Sequence, residues 1–547
     1  MGNITSSFGV EIECLIATQE GDRPLNKPRQ FQTSKGGPVI VEKGASATTT
    51  VDDRVREVIE AALKGHEGDQ VIKSDAELED DENAWHLREY RQWDVKRDIS
   101  VRAPDNFYND DPNLRNFGWT DIEVTTPALL ATEKSYAEVH RVITALNEAF
   151  WLIAPTTAAL HIHYGRGKKY IPLNDLRRMA AFLFAADPIL TQMHPDHLRN
   201  EESFYCPSNR LYSNIAHGAP GQAANDHFGP LAGERVPEEV PESADPPQEP
   251  ESRPKLDRGR KFTSIFPRGS LPCYVIDQSE FDRSYPPWMQ DREYLPTSEK
   301  GKPLAIVAAA RELLATEDGP TVYILMSDST PRRFAYNFRA YNIAEYRRRY
   351  RIGPGRINPA SQPKRTLEFR QAAGTVNPEE IIAHAKIAVR LCEWASTTPM
   401  EELWKQILDL SVAEKHSDWY DVFDLLADLD LVEEAKVVQR QMANARKIVI
   451  ADEEAGSVKP TPAVTNPPYV PPETALSRFL TWPRSRDPPC VRSEGSLSTI
   501  SSILTWPGRS RRRGHGRGFR IESDEGVPDT DLDLIWLEGA SDGLPPV

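Results

Sequence analysis

Five short segments of the 547-residue chain alternate between apolar and polar side chains, and this feature constrains the fold most. Successive side chains of a β-strand point to opposite faces, so a period of two predicts strands with one buried face. The segments are FGVEIE at 8–13, DISV at 98–101, DIEVTT at 121–126, LHIHY at 160–164 and TLEFRQ at 366–371. An antiparallel sheet whose apolar face is covered by helices shows this alternation.

The polar positions of these strands have an unusual composition. An ordinary solvated strand face is rich in Lys, Thr, Gln and Ser, whereas these positions carry mainly Glu, Asp and His, with one Arg. Carboxylate oxygens and an occasional imidazole are the ligands that divalent cations prefer. Each pair alone has a simpler interpretation: Asp98 and Ser100 as a hydrogen-bonded turn, Glu368 and Arg370 as an ion pair. Together they predict a site on one face of the sheet.

Helical periodicity lies between the strand segments. The spacing of apolar residues predicts amphipathic helices over 51–64, 135–151 and 173–186. A further helix is expected to begin at Asn377, a good N-cap that is followed by Pro378 and by Glu380, and the helical pattern continues to about Ile450. The predicted fold class is α+β, with a curved antiparallel sheet and helices on one face.

Two regions are expected to lie outside this fold. The stretch 234–260 is rich in Pro, Glu and Ser, which predicts a disordered insertion over about 219–260 within a catalytic domain of residues 1–455. The composition of residues 456–547 predicts a low-complexity, disordered tail, which contains a repeated Leu-Thr-Trp-Pro motif and a basic cluster at 509–520. The tail is a solvated segment or a candidate for docking an unidentified protein.

Charge and composition exclude several classes of protein. The net charge of −16 and the pI near 5.4 argue against nucleic-acid binding by the whole chain. The five cysteines are scattered without a CxxC pair, which favours a reducing compartment. No apolar run reaches the ~18 residues of a membrane span, and no secretory signal is recognisable. A cytoplasmic enzyme is therefore expected.

The ordered series FGVEIE, WDVKRDIS, DIEVTTP, LHIHYG and TLEFRQAAGT resembles the amidoligase family. These proteins are ATP-dependent carboxylate–amine ligases related to glutamine synthetase and glutamate–cysteine ligase. The matching blocks are spread over residues 8 to 395, with long insertions between them. The resemblance implies a glutamine-synthetase-like sheet that holds ATP and Mg²⁺ on its polar face.

Roles for individual residues follow from the same resemblance. Metal ligation is implied for Glu11, Glu13, Glu123 and Glu368. Catalytic roles are implied for Asp98, His161, His163 and Arg370. Contacts with the nucleotide or substrate are implied for Ser100 and Asn342, and Arg199 and Arg210 are further candidates for contacting phosphate or a substrate carboxylate. Among these, Arg370 is the candidate for stabilising the transferred phosphoryl group, because its planar fork matches phosphate oxygens.

The implied reaction joins a carboxylate to an amine through an acyl-phosphate, with small molecules or a peptide or protein as substrates. Two alternatives use the same residues. A metal-dependent hydrolase would need no ATP, and an inactive amidoligase-like binding protein would act through its tail. The sequence leaves open which carboxylate and which amine are used.

Overall fold

The computed structural model describes residues 5–21, 25–74, 87, 90–104, 107–109, 111–195, 206–228, 259–271, 303–328, 333–341 and 366–446. The chain divides into two compact units, Met1–Ala455 and Gly456–Val547. Every described residue belongs to the first unit. The predicted tail and residues 229–258 of the predicted insertion lie outside the described residues.

An open, largely antiparallel sheet forms the framework of the described part. Its strands are β1 (Ser7–Glu20), β2 (Val39–Val41), β3 (Asp94–Lys96), β4 (Gly118–Thr125), β5 (Leu129–Leu130), β6 (Leu152–Ile153), β7 (Ala159–Gly165), β8 (Tyr336–Asn337) and β9 (Leu367–Ala373). The main order is β3-β4-β1-β7-β9-β8, and β2, β5 and β6 pair with β1. Only the β1–β2 pair among these is parallel. The predicted antiparallel α+β class is confirmed at this level.

The long central strand β1 fixes which face of the sheet is buried. Its alternate residues Phe8, Val10 and Ile12 are each at most 2% exposed and belong to the main hydrophobic core. Each buried side chain of this size contributes ~1.5–3 kcal/mol to folding. A slip of one residue in register would move all three to the polar face, so the register of β1 is strongly specified.

Helices cover the apolar face of the sheet and one another. They are α1 (Ala47–Leu63), α2 (Glu133–Ala149), α3 (Leu173–Leu190), α4 (Asn209–Tyr212), α5 (Gly221–Phe228), α6 (Ile306–Leu314), α7 (Gly319–Met326), α8 (Pro378–Thr397), α9 (Met400–Ala413), α10 (Val422–Asp428) and α11 (Val432–Ala445). Helices α1, α2 and α8 lie near the sheet, and the strongly apolar α3 packs against α6, α8 and α9. None of these helices is long and apolar enough to cross a membrane.

The predicted helices are confirmed, and two other expectations are corrected. Asn377 caps α8 by accepting a hydrogen bond from the backbone N–H of Glu379. The insertion expected from residue 219 does not begin there, because α5 is helical and Ala223 and Ala224 are buried. The strand expected over 98–101 is not formed, because β3 ends at Lys96 and the chain then turns.

A buried carboxyl group ties β9 to the helices. Asp187, on α3, is fully buried and accepts hydrogen bonds from Ser208 Oγ at 2.6 Å, the backbone N–H of Arg210 at 2.9 Å and Gln371 Nε2 at 3.2 Å. Burial raises the pKa of Asp187, although these hydrogen bonds act in the opposite direction. Gln371 follows Arg370 in β9, so this network fixes the strand from its apolar side.

The raised pKa of Asp187 predicts a specific pH dependence of stability. A carboxyl group whose pKa is higher in the folded state binds its proton more tightly when folded, so its contribution is complete below the unfolded value of ~3.9 and declines as pH rises through the folded value. We therefore expect Asp187→Asn to destabilise the protein more at pH 5 than at pH 8. Urea unfolding at both pH values measures this difference. The exposed Asp418→Asn is the control, and an equal effect of Asp187→Asn at the two pH values would contradict the prediction.

Candidate functional site

Four neighbouring strands bring the predicted polar residues together on one face of the sheet. The strands β4, β1, β7 and β9 are adjacent in this order. Their register places Glu13 opposite Glu123, Glu11 opposite His161, and His163 opposite Glu368. Directly opposed residues have Cβ atoms ~4.5–5.5 Å apart, so their side chains can contact one another. The predicted alternation on these strands therefore produces a continuous band of ionisable groups.

The first group in this band is the central trio, Glu11, His163 and Glu368. One potential ligand atom from each residue lies within 4.8 Å of the others. The Glu11 carboxylate lies 2.9 Å from His163 Nε2 and 3.3 Å from His161 Nδ1. The other ring nitrogen of His163 lies 3.1 Å from Thr366 Oγ1, which fixes the orientation of the imidazole.

A buried ion pair forms one side of the central trio. Arg370 donates through Nη1 to Glu368 Oε1, and the two side chains are 6% and 13% exposed. Burial alone would raise the pKa of Glu368, but the charge of Arg370, with smaller effects of His163 and His161, holds it well below its usual range. Glu368 is therefore ionised, and Arg370 counters part of the negative charge of the trio.

His161 lies between the central trio and the carboxylates beside it. Its Nδ1 lies 3.6 Å from Glu13 Oε1 and 3.5 Å from Arg370 Nη1. Burial, followed by the neighbouring charge of Arg370, lowers the pKa of His161. The imidazole is therefore neutral near pH 7 and can accept a proton.

The second group is the acidic trio, Glu13, Asp98 and Glu123. An oxygen atom from each carboxylate lies within 4.8 Å of the others. Three carboxylates so close together repel one another, and this repulsion is relieved either by protonation or by a bound cation. The donor set consists only of oxygen atoms, which suits a hard divalent cation.

The surroundings of Glu13 strongly perturb its carboxyl group. It is 3% exposed, and one of its oxygens accepts a hydrogen bond from the backbone N–H of Ala159 at 2.7 Å. Its neighbour on the same face, Leu15, packs with Val101 and Ala158 in a small hydrophobic cluster that excludes water. Burial, followed by the charge of Asp98, raises the pKa of Glu13 to about 8. A cation in the acidic trio would favour the ionised form.

Asp98 reaches the acidic trio from a turn, which corrects the strand prediction. Its Oδ1 accepts hydrogen bonds from the backbone N–H of Ser100 at 2.8 Å and from Ser100 Oγ at 2.6 Å. Ile99 is 62% exposed and does not point into the core, as strand alternation would require. The alternative interpretation of Asp98 and Ser100 as a hydrogen-bonded turn is the one observed. Ser100 thus orients a carboxylate, and its contact with a nucleotide stays a prediction.

The remaining predicted residues are not brought into this cluster. Arg210 Nε donates to Glu414 Oε1 at 2.7 Å, and Arg210 Nη1 donates to the carbonyl of Leu304 at 2.9 Å. The guanidinium of Arg210 is therefore engaged in an ion pair with Glu414, directly after α9, and in a hydrogen bond to the chain before α6. Arg199 and Asn342 lie outside the described residues, so their predicted contacts with nucleotide or substrate stay predictions.

Sequence reasoning missed three residues near the cluster. Asn337 lies opposite Glu368 and donates Nδ2 to its Oε2 at 2.7 Å. Thr366 contacts His163, as described above. Lys96 lies opposite Glu123, so a cation does occur at a polar-face position. The alternation of aromatic and other residues in FAYNFR at 334–339 was the signal that could have revealed Asn337.

Residues 5–217 match the model of a protein family described as "Putative amidoligase enzyme". No curated protein and no solved structure matches the chain. The matched span contains the acidic trio, Glu11, His161 and His163, whereas β9, with Glu368 and Arg370, lies beyond it. The pairing of β7 with β9 joins these later residues to the matched strands. Over residues 5–217, the chain is therefore similar to a family of putative amidoligase enzymes.

Proposed function

We propose that the chain is an ATP- and Mg²⁺-dependent carboxylate–amine ligase that forms an amide bond through an acyl-phosphate. The observation that supports this most is the arrangement of the two trios side by side, with Arg370 and His161 adjoining both. Phosphoryl transfer to a carboxylate is catalysed mainly by positioning and by neutralising negative charge. The polar face of the sheet offers groups suited to both tasks.

The acidic trio is the better candidate for holding Mg²⁺. Glu13, Asp98 and Glu123 provide only oxygen donors, and burial makes Glu13 unfavourable as an uncompensated anion. Glu11 and Glu368 of the central trio are candidates for a second ion, as the resemblance implied. Bound Mg²⁺ would supply charge neutralisation for phosphate oxygens.

The protein groups between the trios have distinct proposed roles. Arg370 is held by Glu368 in a fixed orientation, so its guanidinium can stabilise a transferred phosphoryl group without reorganisation. His161 is a candidate base for the attacking amine, because its imidazole is buried and neutral. Glu11 orients both imidazoles through its two carboxylate oxygens.

Mg²⁺-dependent nucleotide binding is the first expected result. Isothermal titration of the full chain with ATP should give binding in the presence of Mg²⁺ and much weaker binding in EDTA, because the carboxylates otherwise repel the phosphates. Equal binding under both conditions, or no binding under either, would exclude the proposed metal–nucleotide site.

Turnover then separates the ligase from the hydrolase alternative. Phosphate release from Mg-ATP should be stimulated by a mixture of carboxylates and amines and should be low with either class alone. Cleavage of an amide substrate by the metal-loaded protein without ATP would instead favour a hydrolase.

A further inference from the structure

An open pocket adjoins the central trio, and its empty space of ≈ 540 Å³ includes solvent at its mouth. Glu11 and His163 line one part of it, and the turn after β7, with Arg166, Gly167 and Lys169, lines another. The pocket follows β1 from Glu11 back to Ser7. At ~3.3 Å per residue, these four steps correspond to roughly 13 Å of strand.

The charges of the pocket differ along its length. At the end formed by the central trio, the carboxylate of Glu11 and the hydroxyl group of Thr366 can both accept hydrogen bonds. Near the turn lies the ammonium group of Lys169, which has no ion pair with any residue in the described part of the chain. Arg166 is different, because Asp175 pairs with its guanidinium. Lys169 is therefore the cation best placed to meet a ligand anion.

Arg166 nevertheless contributes a donor near this end. Its Nε is buried and, within the described structure, has no hydrogen-bond partner, although Nη2 of the same guanidinium binds Asp175. A buried donor without a partner costs free energy that a ligand oxygen could recover. Arg166 Nε lies at the Lys169 end of the pocket, and this position is consistent with the binding of an anion there.

The floor of the pocket is formed by residues with small side chains. Gly9 of β1 and Gly165 of β7 line the pocket, and Gly167 adopts a positive φ of 60° in the turn. The N–H of Gly167 donates to Ser7 Oγ at 2.9 Å, which joins the turn to β1. A Cβ at position 165 would lie 2.9 Å from Ser7 Oγ. The glycine at position 165 thus allows the turn and β1 to approach closely, and the absence of a side chain at Gly9 leaves space above β1. Leu87 and Ala128 provide apolar walls.

We propose that this pocket binds the amine substrate of the ligase reaction, and that this substrate is a short linear zwitterion. Its amine would lie at Glu11 and His163, in place of a second metal ion at the central trio, and its carboxylate would lie at Lys169. A ligand that lies along these roughly 13 Å of β1, with ~3 Å for the contact at each end, would span about 7 Å, the length of two extended residues at ~3.3–3.6 Å each. The chemical class is thus a dipeptide or an ω-amino acid of equal length. This inference rests on the proposed function.

Matched dipeptides test the proposal directly. Titration of the full chain with glycylglycine should show binding, and both glycylglycinamide, which lacks the carboxylate, and N-acetylglycylglycine, which lacks the amine charge, should bind more weakly. Lys169→Gln should weaken glycylglycine binding by about fivefold, since an exposed ion pair has this order of effect. It should not change binding of glycylglycinamide. Lys168→Gln removes the same charge from the neighbouring position, which is not part of the pocket, and should have no effect.

Mg-ATP binding by the same variants distinguishes the possible failures. Normal Mg-ATP binding without any binding of glycylglycine would overturn the zwitterion proposal and leave the ligase proposal intact. Loss of Mg-ATP binding in Lys169→Gln would assign the pocket to the nucleotide and would also overturn it. Absence of Mg-ATP binding in the unmodified protein would exclude the ligase proposal itself. Thermal unfolding of each variant confirms that it is folded.

Discussion

Glu11→Gln should lower ligase turnover by at least ~100-fold while the fold remains intact, because binding of a cation at this position, either Mg²⁺ or the substrate ammonium group, depends on the negative charge of Glu11. Glutamine keeps the size of the side chain and can still hydrogen-bond to both imidazoles. The free energy of unfolding should therefore change by less than ~1 kcal/mol. Phosphate release from Mg-ATP and urea unfolding measure the two effects separately.

Glu20→Gln is the matched control for this experiment. Glu20 is an exposed residue at the other end of β1, so the same chemical change should alter neither turnover nor stability. Normal turnover by Glu11→Gln would show that the central trio is only a solvated face. Loss of cooperative unfolding in Glu11→Gln would show instead that Glu11 is structural.

Glu368→Gln should destabilise the protein by about 3 kcal/mol, because it leaves the buried guanidinium of Arg370 without its opposite charge. Strand alternation alone predicts a smaller effect, because it places Glu368 outside the core. The structure changes this expectation by burying the side chains of both Glu368 and Arg370. Urea unfolding at pH 7 measures the loss.

A double-mutant cycle identifies the ion pair as the cause. Arg370→Gln should also be destabilising, and the double variant Glu368→Gln/Arg370→Gln should lose clearly less stability than the sum of the two single variants. Arg370→Lys keeps a positive charge and should lose less stability than Arg370→Gln. It should still lower turnover more than it weakens ATP binding, because lysine lacks the planar fork. Additive losses in the cycle would contradict a coupled pair.

The polar face of the sheet could be predicted from the sequence because strand alternation is a local property. In β1, β4, β7 and β9, each apolar residue that packs on the helices forces its neighbour to the other face. This reasoning identified Glu11, Glu13, Glu123, His161, His163, Glu368 and Arg370, and the structure places all of them together. The amphipathic helices were predictable for a similar reason, since their period is visible in short stretches of sequence.

Alternation failed where the chain leaves the sheet. Asp98 was assigned to the site by a strand pattern, yet it arrives there through a turn in which Ser100 binds its carboxylate. A polar–apolar–polar–apolar stretch of four residues fits a turn as well as a strand, and only pairing with a neighbouring strand decides between them. No neighbouring strand pairs with this stretch within the described chain.

The sequence by itself determined which side chains share a face, whereas only the tertiary structure decided how they are grouped. The register of β1 with β4 and β7 separates the carboxylates into two trios, and the pairing of β9 with β7 brings Glu368 to a histidine more than two hundred positions earlier in the chain. The charge of Arg370 then keeps Glu368 ionised, whereas burial favours the protonated form of Glu13. These outcomes depend on contacts between distant segments and on exclusion of water, and neither is encoded in a local period.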